Sequence, residues 1–488
     1  DAPISGALRA SVDEAGALGP LNATLQIGAG ALRPTEATRP VSFDSVRSYF
    51  TYDPSRQVIE FNELAIDSKW VSTRVEGRAY LVGVEQGWPR EIVTQVTLGE
   101  IRTNPDGLYP ERLTLEAATL DMRLQLDPFV LSLGQMSLQD KGERLVLTGE
   151  ARAEPEGWHV ALDGKMGALT PERLLQLWPE SLTPNTRTWI DENIRKAELR
   201  NLQLAVRSLP TSRPDLFLSV DFTDMQTRFI KDVPEIEAAS GHLSLLDNRF
   251  VVTTRTGHVT AAQGGRVDIS GTSFEIPNVQ IKRAPARVRL KTSSTITAVL
   301  SLLNEEPFRF LDKAGQLVTL ADGRAALGGT LDFLLIKDLQ PEEVAFDVTG
   351  RLEDVRSETL VPGRVLNAAA LDVRATKEDL VVSGDGRIGQ VPFNGRFRAE
   401  LAPDSGGQSD VRGWIEISER FADEFRIGLP PGSLTGAGRG QIEIDFEKGA
   451  PGAFRPLCRA HPAAGRRGVF RAGHRAVGGH APRDRGTE

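Results

Sequence analysis

The sequence predicts a mainly β protein: a long antiparallel β-sheet that must curl, with a few short amphipathic helices. Three observations predict it. Apolar and polar residues alternate with period two in run after run, turn-forming residues separate many of the runs at hairpin-like intervals, and only three short stretches carry helix start and stop signals.

The alternation is plainest where Leu120, Met122, Leu124 and Leu126 interleave with Asp121, Arg123, Gln125 and Asp127. A period of two puts the apolar side chains on one sheet face and the polar ones on the other. Leu216, Leu218, Val220 and Phe222 repeat the pattern, as do Val344, Phe346 and Val348 against Ala345, Asp347 and Thr349. It returns at Ile442, Ile444 and Phe446 against Glu443, Asp445 and Glu447. Pro105-Asp106-Gly107, Pro155-Glu156-Gly157 and Leu246-Asp247-Asn248 supply turns between such runs. These spacings fit an antiparallel meander, not a βαβ fold.

The helical stretches follow from capping chemistry. Thr170 can cap a helix with Pro171 at its first position and Glu172 in its first turn, and Leu174, Leu175 and Trp178 share a face until Pro179 ends it. A second helix runs from Thr183-Pro184 through Trp189 and Ile190 to Ile194; a third covers Ile296 to Leu303, after Ser293-Ser294-Thr295 and before Pro307.

A sheet this long raises a physical problem. At ~14 residues per strand and turn, 450 residues make about 30 strands, against the roughly ten that an open twisted sheet tolerates. It must curl, close or split. A barrel or paired sandwiches would bury each apolar stripe against protein, whereas a curled open sheet leaves the stripe lining a channel for an apolar guest. With strands ~4.8 Å apart, a continuous groove would be on the order of 140 Å long. Aromatic residues are only 6% of the chain, and branched aliphatic walls suit acyl chains better than sugars or bases. The residue pattern alone leaves a protein-filled core and a groove both open.

The 488 residues have room for about three ordinary domains or one long repetitive one. The pattern divides into strands over 1–165, a helical insertion over 166–200, further strands over 201–450 with the short helix near 296–303, and a tail over 451–488. Of the 58 basic and 66 acidic groups, eight Arg, Asp484 and Glu488 lie in the tail, which leaves 50 and 64, a net of −14, in the body. Such a body repels nucleic acid and anionic membrane surfaces. The tail, rich in Arg, Ala, Gly, Pro and His, reads either as a basic arm or, preferably, as a translated wrong frame. It holds the only cysteine, Cys458, so the body has neither disulfides nor thiolate metal sites. The chain begins at Asp1 without Met, as a fragment does, and no apolar run approaches 18 residues.

Chemistry is sparse. Gly384-Asp385-Gly386-Arg387-Ile388-Gly389 spells GxGxxG, but Val391 to Leu401 read as strand instead of helix, so a hairpin turn is expected in place of a dinucleotide site. Asn22-Ala23-Thr24 matches a glycosylation sequon by chance. His159, His242 and His258 lie in strand-like sequence, and Glu305/Glu306 and Glu342/Glu343 read as solvated caps beside Pro307 and Pro341. No nucleophile, base and oxyanion constellation can be assembled, so no enzyme, cofactor or metal is expected.

One segment carries a family resemblance. Trp178-Pro179, then Leu182-Thr183-Pro184-Asn185-Thr186-Arg187-Thr188-Trp189-Ile190-Asp191-Glu192-Asn193-Ile194, resembles the "WP…P.TR.W…N" signature of the AsmA-like YhdP family. Asp232-Val233-Pro234-Glu235-Ile236, Ser240-Gly241-His242-Leu243, Asn248-Arg249-Phe250 and Pro285-Ala286 before Val299-Leu300 resemble that family's central region. Ala197 departs from it, standing where a Gly would turn the chain. The resemblance implies a repeating β-groove (β-taco) protein of the Gram-negative periplasm, held in the inner membrane by an N-terminal helix that this chain lacks. It implies that phospholipid acyl chains slide along a groove lined by Leu120, Met122, Leu124, Leu126, Val344, Phe346, Val348, Ile442, Ile444 and Phe446, toward the outer membrane. A periplasmic or outer-membrane protein partner is implied, and no nucleic acid. The signature residues Trp178, Pro179, Pro184, Arg187, Trp189 and Asn193 are expected to be structural, with Trp178, Trp189 and Arg187 making a packed corner in which the guanidinium is stacked or carboxylate-paired; the alternative is that Arg187 meets a phosphate at a gate in the groove. The alternative class is a periplasmic scaffold for outer-membrane protein assembly, acting through exposed sheet edges.

Overall fold

The computed structural model describes residues 2–446 apart from Ala17, 230–232, Asp338, 402–407 and Pro431. The expected tail, with Cys458, and Asp232 and Glu447 lie outside the described residues. The chain opens with β1 (Ile4–Arg9), β2 (Leu21–Ile27), β3 (Gly30–Leu32), β4 (Val41–Phe43), β5 (Ser45–Asp53), β6 (Val58–Asp67), β7 (Val71–Val82) and β8 (Glu91–Thr103). It continues through β9 (Leu113–Gln125), β10 (Val130–Asp140), β11 (Glu143–Glu154), β12 (Gly157–Leu169), α1 (Pro171–Leu177), α2 (Pro184–Asn193), β13 (Ile194–Ser208) and β14 (Asp215–Thr227). Then come β15 (Ile236–Leu246), β16 (Arg249–Thr260), β17 (Arg266–Asp268), β18 (Ser273–Ile276), β19 (Pro285–Thr295), α3 (Ile296–Leu303), α4 (Phe310–Lys313) and β20 (Asp322–Leu334). The last described elements are β21 (Ala345–Val361), β22 (Arg364–Thr376), β23 (Asp379–Ile388), β24 (Val391–Glu400), β25 (Ser409–Ile417), α5 (Glu419–Glu424) and β26 (Gly438–Phe446).

All but β3 and β4 belong to one antiparallel sheet of 24 strands, in which each strand pairs with its neighbours in the chain. β17 and β18 share one strand's place between β16 and β19. The count falls below the expected thirty because strands are long, β21 reaching 17 residues. No pairing joins β1 to β26 among the described residues, so the sheet is open, not a closed barrel.

Curvature comes from bulges. Register shifts interrupt β6/β7 between Phe61 and Leu64, β13/β14 between Arg200 and Gln203, β14/β15 between Phe222 and Met225, and β22/β23 between Asn367 and Ala370. Glu100, Asn201, Asp224, Ala238 and Asp354 adopt left-handed φ within strands. Each such irregularity bends its strand and adds twist, so the sheet curls across its width.

The meander creates two unlike rims. One, the turn rim, is a row of mostly short connections, including Pro155-Glu156 and Asp247-Asn248, where φ of 50 and 64° suits a two-residue hairpin. The other, the helical rim, carries all five described helices and the β3–β4 hairpin. Thr170 caps α1, its side chain accepting from the Arg173 amide, as expected, and Thr295 does the same for α3 through Ala298. Leu174 and Leu177 face the sheet, not Leu175 and Trp178, because α1 ends one residue before Trp178. α2 ends at Asn193, so Ile194 opens a strand. Sequence reading did not foresee α4 and α5, which are only four and six residues long. Positions 165 and 200 fall inside β12 and β13: the sheet runs on through the helical insertion.

Candidate functional site

The inner face of the curled sheet is apolar and one layer deep. Its buried side chains form clusters drawn only from adjacent strands and the helix beside them. Val75, Leu98, Ile101, Ala118 and Leu138 make one; Met166, Leu199, Leu202, Val220 and Phe222, with Leu174 and Leu177 of α1 against them, make another. Ile296 of α3 joins Ala325, Val355 and Ala368 in a third. No second sheet faces them among the described residues, and these clusters lie mainly toward the helical rim.

Toward the turn rim the same face is mostly half-buried, small residues such as Ala79 and Ala286 excepted, and the predicted lining residues fall there. Leu120, Met122 and Leu124 pair with Met136, Leu133 and Leu131 across β9 and β10 and share their face with Val96 and Ile92 of β8. Leu126 lies beyond the end of β9 and is 38% exposed, so it belongs to the rim and not the floor. Phe346 pairs with Leu331, and Val348 with Gly329 and Ala375. Val344 precedes β21 as the last residue after a 3₁₀ turn over Pro341–Glu343. Ile442 and Ile444 pair with Gly413 and Val411, while Phe446 is 41% exposed. The outer residues behave oppositely: Asp347 meets Arg374 at 3.1 Å, and Glu443 meets Arg412 at 3.5 Å. A depression of about 580 Å³ that includes Thr349, Arg351, Asp372 and Arg374 opens on this outer face, not on the apolar one.

The signature segment forms a corner on the helical rim. Trp178 Nε1 donates to the Leu182 carbonyl at 2.8 Å, Asn193 Nδ2 to the Trp189 carbonyl at 2.8 Å, and Pro179 is buried. Pro184 occupies the first turn of α2 behind Thr183, whose left-handed backbone replaces a side-chain cap. The guanidinium of Arg187 was expected to be stacked or carboxylate-paired, but among the described residues it has neither kind of partner. Its Nη2 donates to the Leu175 carbonyl at 3.2 Å, near the C-terminal end of α1, where a cation is favoured. Ala197 makes no turn; it is a buried strand residue of β13 flanked by register shifts.

Chemistry on the outer face is a cross-strand ladder. His242 Nδ1 lies 3.1 Å from Asp221 Oδ1, and its Nε2 lies 3.5 Å from Ser219 Oγ. Asn201 donates to Asp221 at 2.9 Å, and this bond, then that of His242, holds the carboxyl below its usual range. The order of groups mimics a catalytic triad that sequence spacing did not reveal, because the three residues meet only through pairing of β14 with β15. Ser219 stands mid-sheet, opposite Gln203 on one side and Ser244 on the other. His258 lies 3.2 Å from Glu237, and His159 lies 3.8 Å from Glu154. Glu275 holds Arg249 at 2.7 Å and Arg289 at 2.6 Å, which together lower its pKa to about 2. Glu343 caps its 3₁₀ turn by accepting from the Gln340 amide at 2.9 Å, the role foreseen for that pair. The GxGxxG stretch is strand through Ile388, and only Gly389 with Gln390 forms the turn. No helix among the described residues is long and apolar enough to cross a membrane.

These features define a class: an open, curled, single-layer antiparallel sheet with an apolar inner face. Compared with family models, with curated proteins and with solved structures, the chain matches none.

Proposed function

We propose that this chain is part of an AsmA-like, YhdP-like lipid-transfer protein of the Gram-negative periplasm, and that its inner face carries phospholipid acyl chains between the inner and outer membranes. In this reading it is anchored to the inner membrane by a segment outside the chain, has no catalytic role, and serves outer-membrane lipid homeostasis with a periplasmic or outer-membrane protein partner.

The observation that supports it is the half-buried apolar stripe along the turn-rim half of an open sheet. Such a face gains stabilisation from an apolar guest, at ~0.8 kcal/mol per buried CH₂. A wall of aliphatic side chains offers no deep well, so a chain held there slides. Head groups stay in water beyond the rim.

The test is in-cell photocrosslinking with a probe at Phe346 and, as control, at Asp347, whose side chains point to opposite faces. Phospholipid captured at Phe346 and not at Asp347 is the expected result. Intramolecular crosslinks alone at Phe346 would sink the conduit and favour a scaffold acting through the edge strands, of which β1 is exposed at every residue.

A further inference from the structure

Four aromatic rings form a chain across the inner face. Trp189 of α2 meets Phe229 at 6.4 Å, Phe229 meets Phe274 at 5.7 Å, and Phe274 meets Phe250 at 6.4 Å, each edge to face. The chain starts at one rim and ends on the opposite wall. Trp189 and Phe229 belong to connections at the helical rim, after β12 and β14. Phe250 lies in β16 and Phe274 pairs with Val252, both within the first four residues of β16 at the turn rim. Val252 packs against the buried cluster of β12 to β15, which sets Phe250 and Phe274 on the inner face.

The register shows how far Phe229 reaches. Thr227 pairs with Ile236, which pairs with Val259, so Phe229 leaves the sheet at the level of Val259. From Val259 to Val252 is about 23 Å of extended strand. Only a sheet folded rim toward wall lets Phe229 touch Phe274. The same folding shows elsewhere: the backbone carbonyl of Arg39, in the β3–β4 hairpin of the helical rim, accepts from Trp158 Nε1 at 3.3 Å beside the turn rim of β12. Trp189 and Phe229 stay 41% and 45% exposed, so they bridge the mouth of the trough and do not extend its floor.

We propose that Trp189, Phe229, Phe274 and Phe250 form a clasp that joins the two rims over β14 to β18 and divides the trough into two apolar compartments. One lies on β5 to β11, the other on β20 to β26. Edge-to-face contacts are individually weak, so the clasp opens without unfolding the sheet beneath it. What passes it rests on the lipid reading above; the clasp itself does not.

The test uses the full chain with Cys458→Ser and spin labels at Asp191→Cys in α2 and Asp247→Cys in the β15–β16 turn, both exposed sites. A single narrow distance is expected, becoming longer and broader in Phe229→Ala and in Phe274→Ala and restored in Phe229→Trp. Because Phe229 is half-exposed, its truncation leaves the sheet folded, which circular dichroism checks. An unchanged distance in both alanine variants overturns the clasp. Photocrosslinkers at Leu124 and Phe346 then sample the two compartments. Phe229→Ala should shift the ratio of phospholipid captured at the two sites by about tenfold, the factor expected for losing the two aromatic pairs that Phe229 makes, each near the lower end of its range; an unchanged ratio overturns the division. No phospholipid at either site, with the distance still responding, would refute the lipid reading and leave the clasp standing.

Discussion

Arg173 donates through Nε to Asp140 at 2.7 Å, pinning the first turn of α1 to the last residue of β10 in an ion pair that exposes only 14% and 10% of its side chains. Arg173 Nη1 also donates to Gln176 at 2.8 Å. The helix thus reaches back across two strands, and the pair holds it over the buried cluster of β12 to β15.

Losing one partner leaves the other charge poorly solvated. Asp140→Ala should cost about 3 kcal/mol, and Asp140→Ala combined with Arg173→Met distinctly less, because no unpaired charge then remains. Urea unfolding of the single and double variants measures this; equal losses would mean that the pair is solvated.

Glu275 makes stability depend on acid. Its folded pKa of about 2 lies below the ordinary 4.5, so its contribution is complete above pH 4.5 and is lost as pH falls toward 2. Screening by solvent limits it to about 1–2 kcal/mol. Glu275→Gln should be less stable near neutrality but should lose less between pH 4.5 and 2, as thermal unfolding across that window reads directly.

Gly241 faces a crowded neighbour. A Cβ there would run into the Thr253 carbonyl oxygen and lie 2.6 Å from Cζ of Phe222, which is 3% exposed and cannot swing away. Gly241→Ala should therefore cost about 2–3 kcal/mol. Gly328→Ala, whose Cβ meets only the Leu290 carbonyl at 3.5 Å, is the control and should leave the melting temperature nearly unchanged.

Arg187 links α2 to the end of α1 through one charge-assisted bond, worth about 1.5–3 kcal/mol. Arg187→Ala should lower stability by that order while phospholipid capture at Phe346 stays level. A stable variant with lost capture would instead place a phosphate contact at this corner.

Much of the sheet was legible because alternation is local. Leu120 to Leu124 and Phe346 to Val348 announce their faces in consecutive residues, and Thr170-Pro171 and Thr295 declare the starts of α1 and α3 in their capping atoms. The half-turn errors arose where two signals compete: Trp178 fits a helical stripe, yet Pro179 forces the residue before it into extended backbone. The aromatic chain was not legible. Phe229, Phe250 and Phe274 stand about one hairpin apart, and only pairing register and curl bring them together. Ser219, Asp221 and His242 were hidden for the same reason.

The shared place of β17 and β18 has a consequence for how such a chain can change in length. In a meander every strand reverses direction, so the parity of the strand count decides the rim to which each later connection belongs. Were β17 and β18 two full strands side by side, α3, α4 and α5 would all emerge beside the short turns. Because they count as one, each described helix keeps to one edge. Lengthening or shortening that preserves this sidedness must come in whole hairpins, so the sheet grows in steps of two strands, about 10 Å at a time.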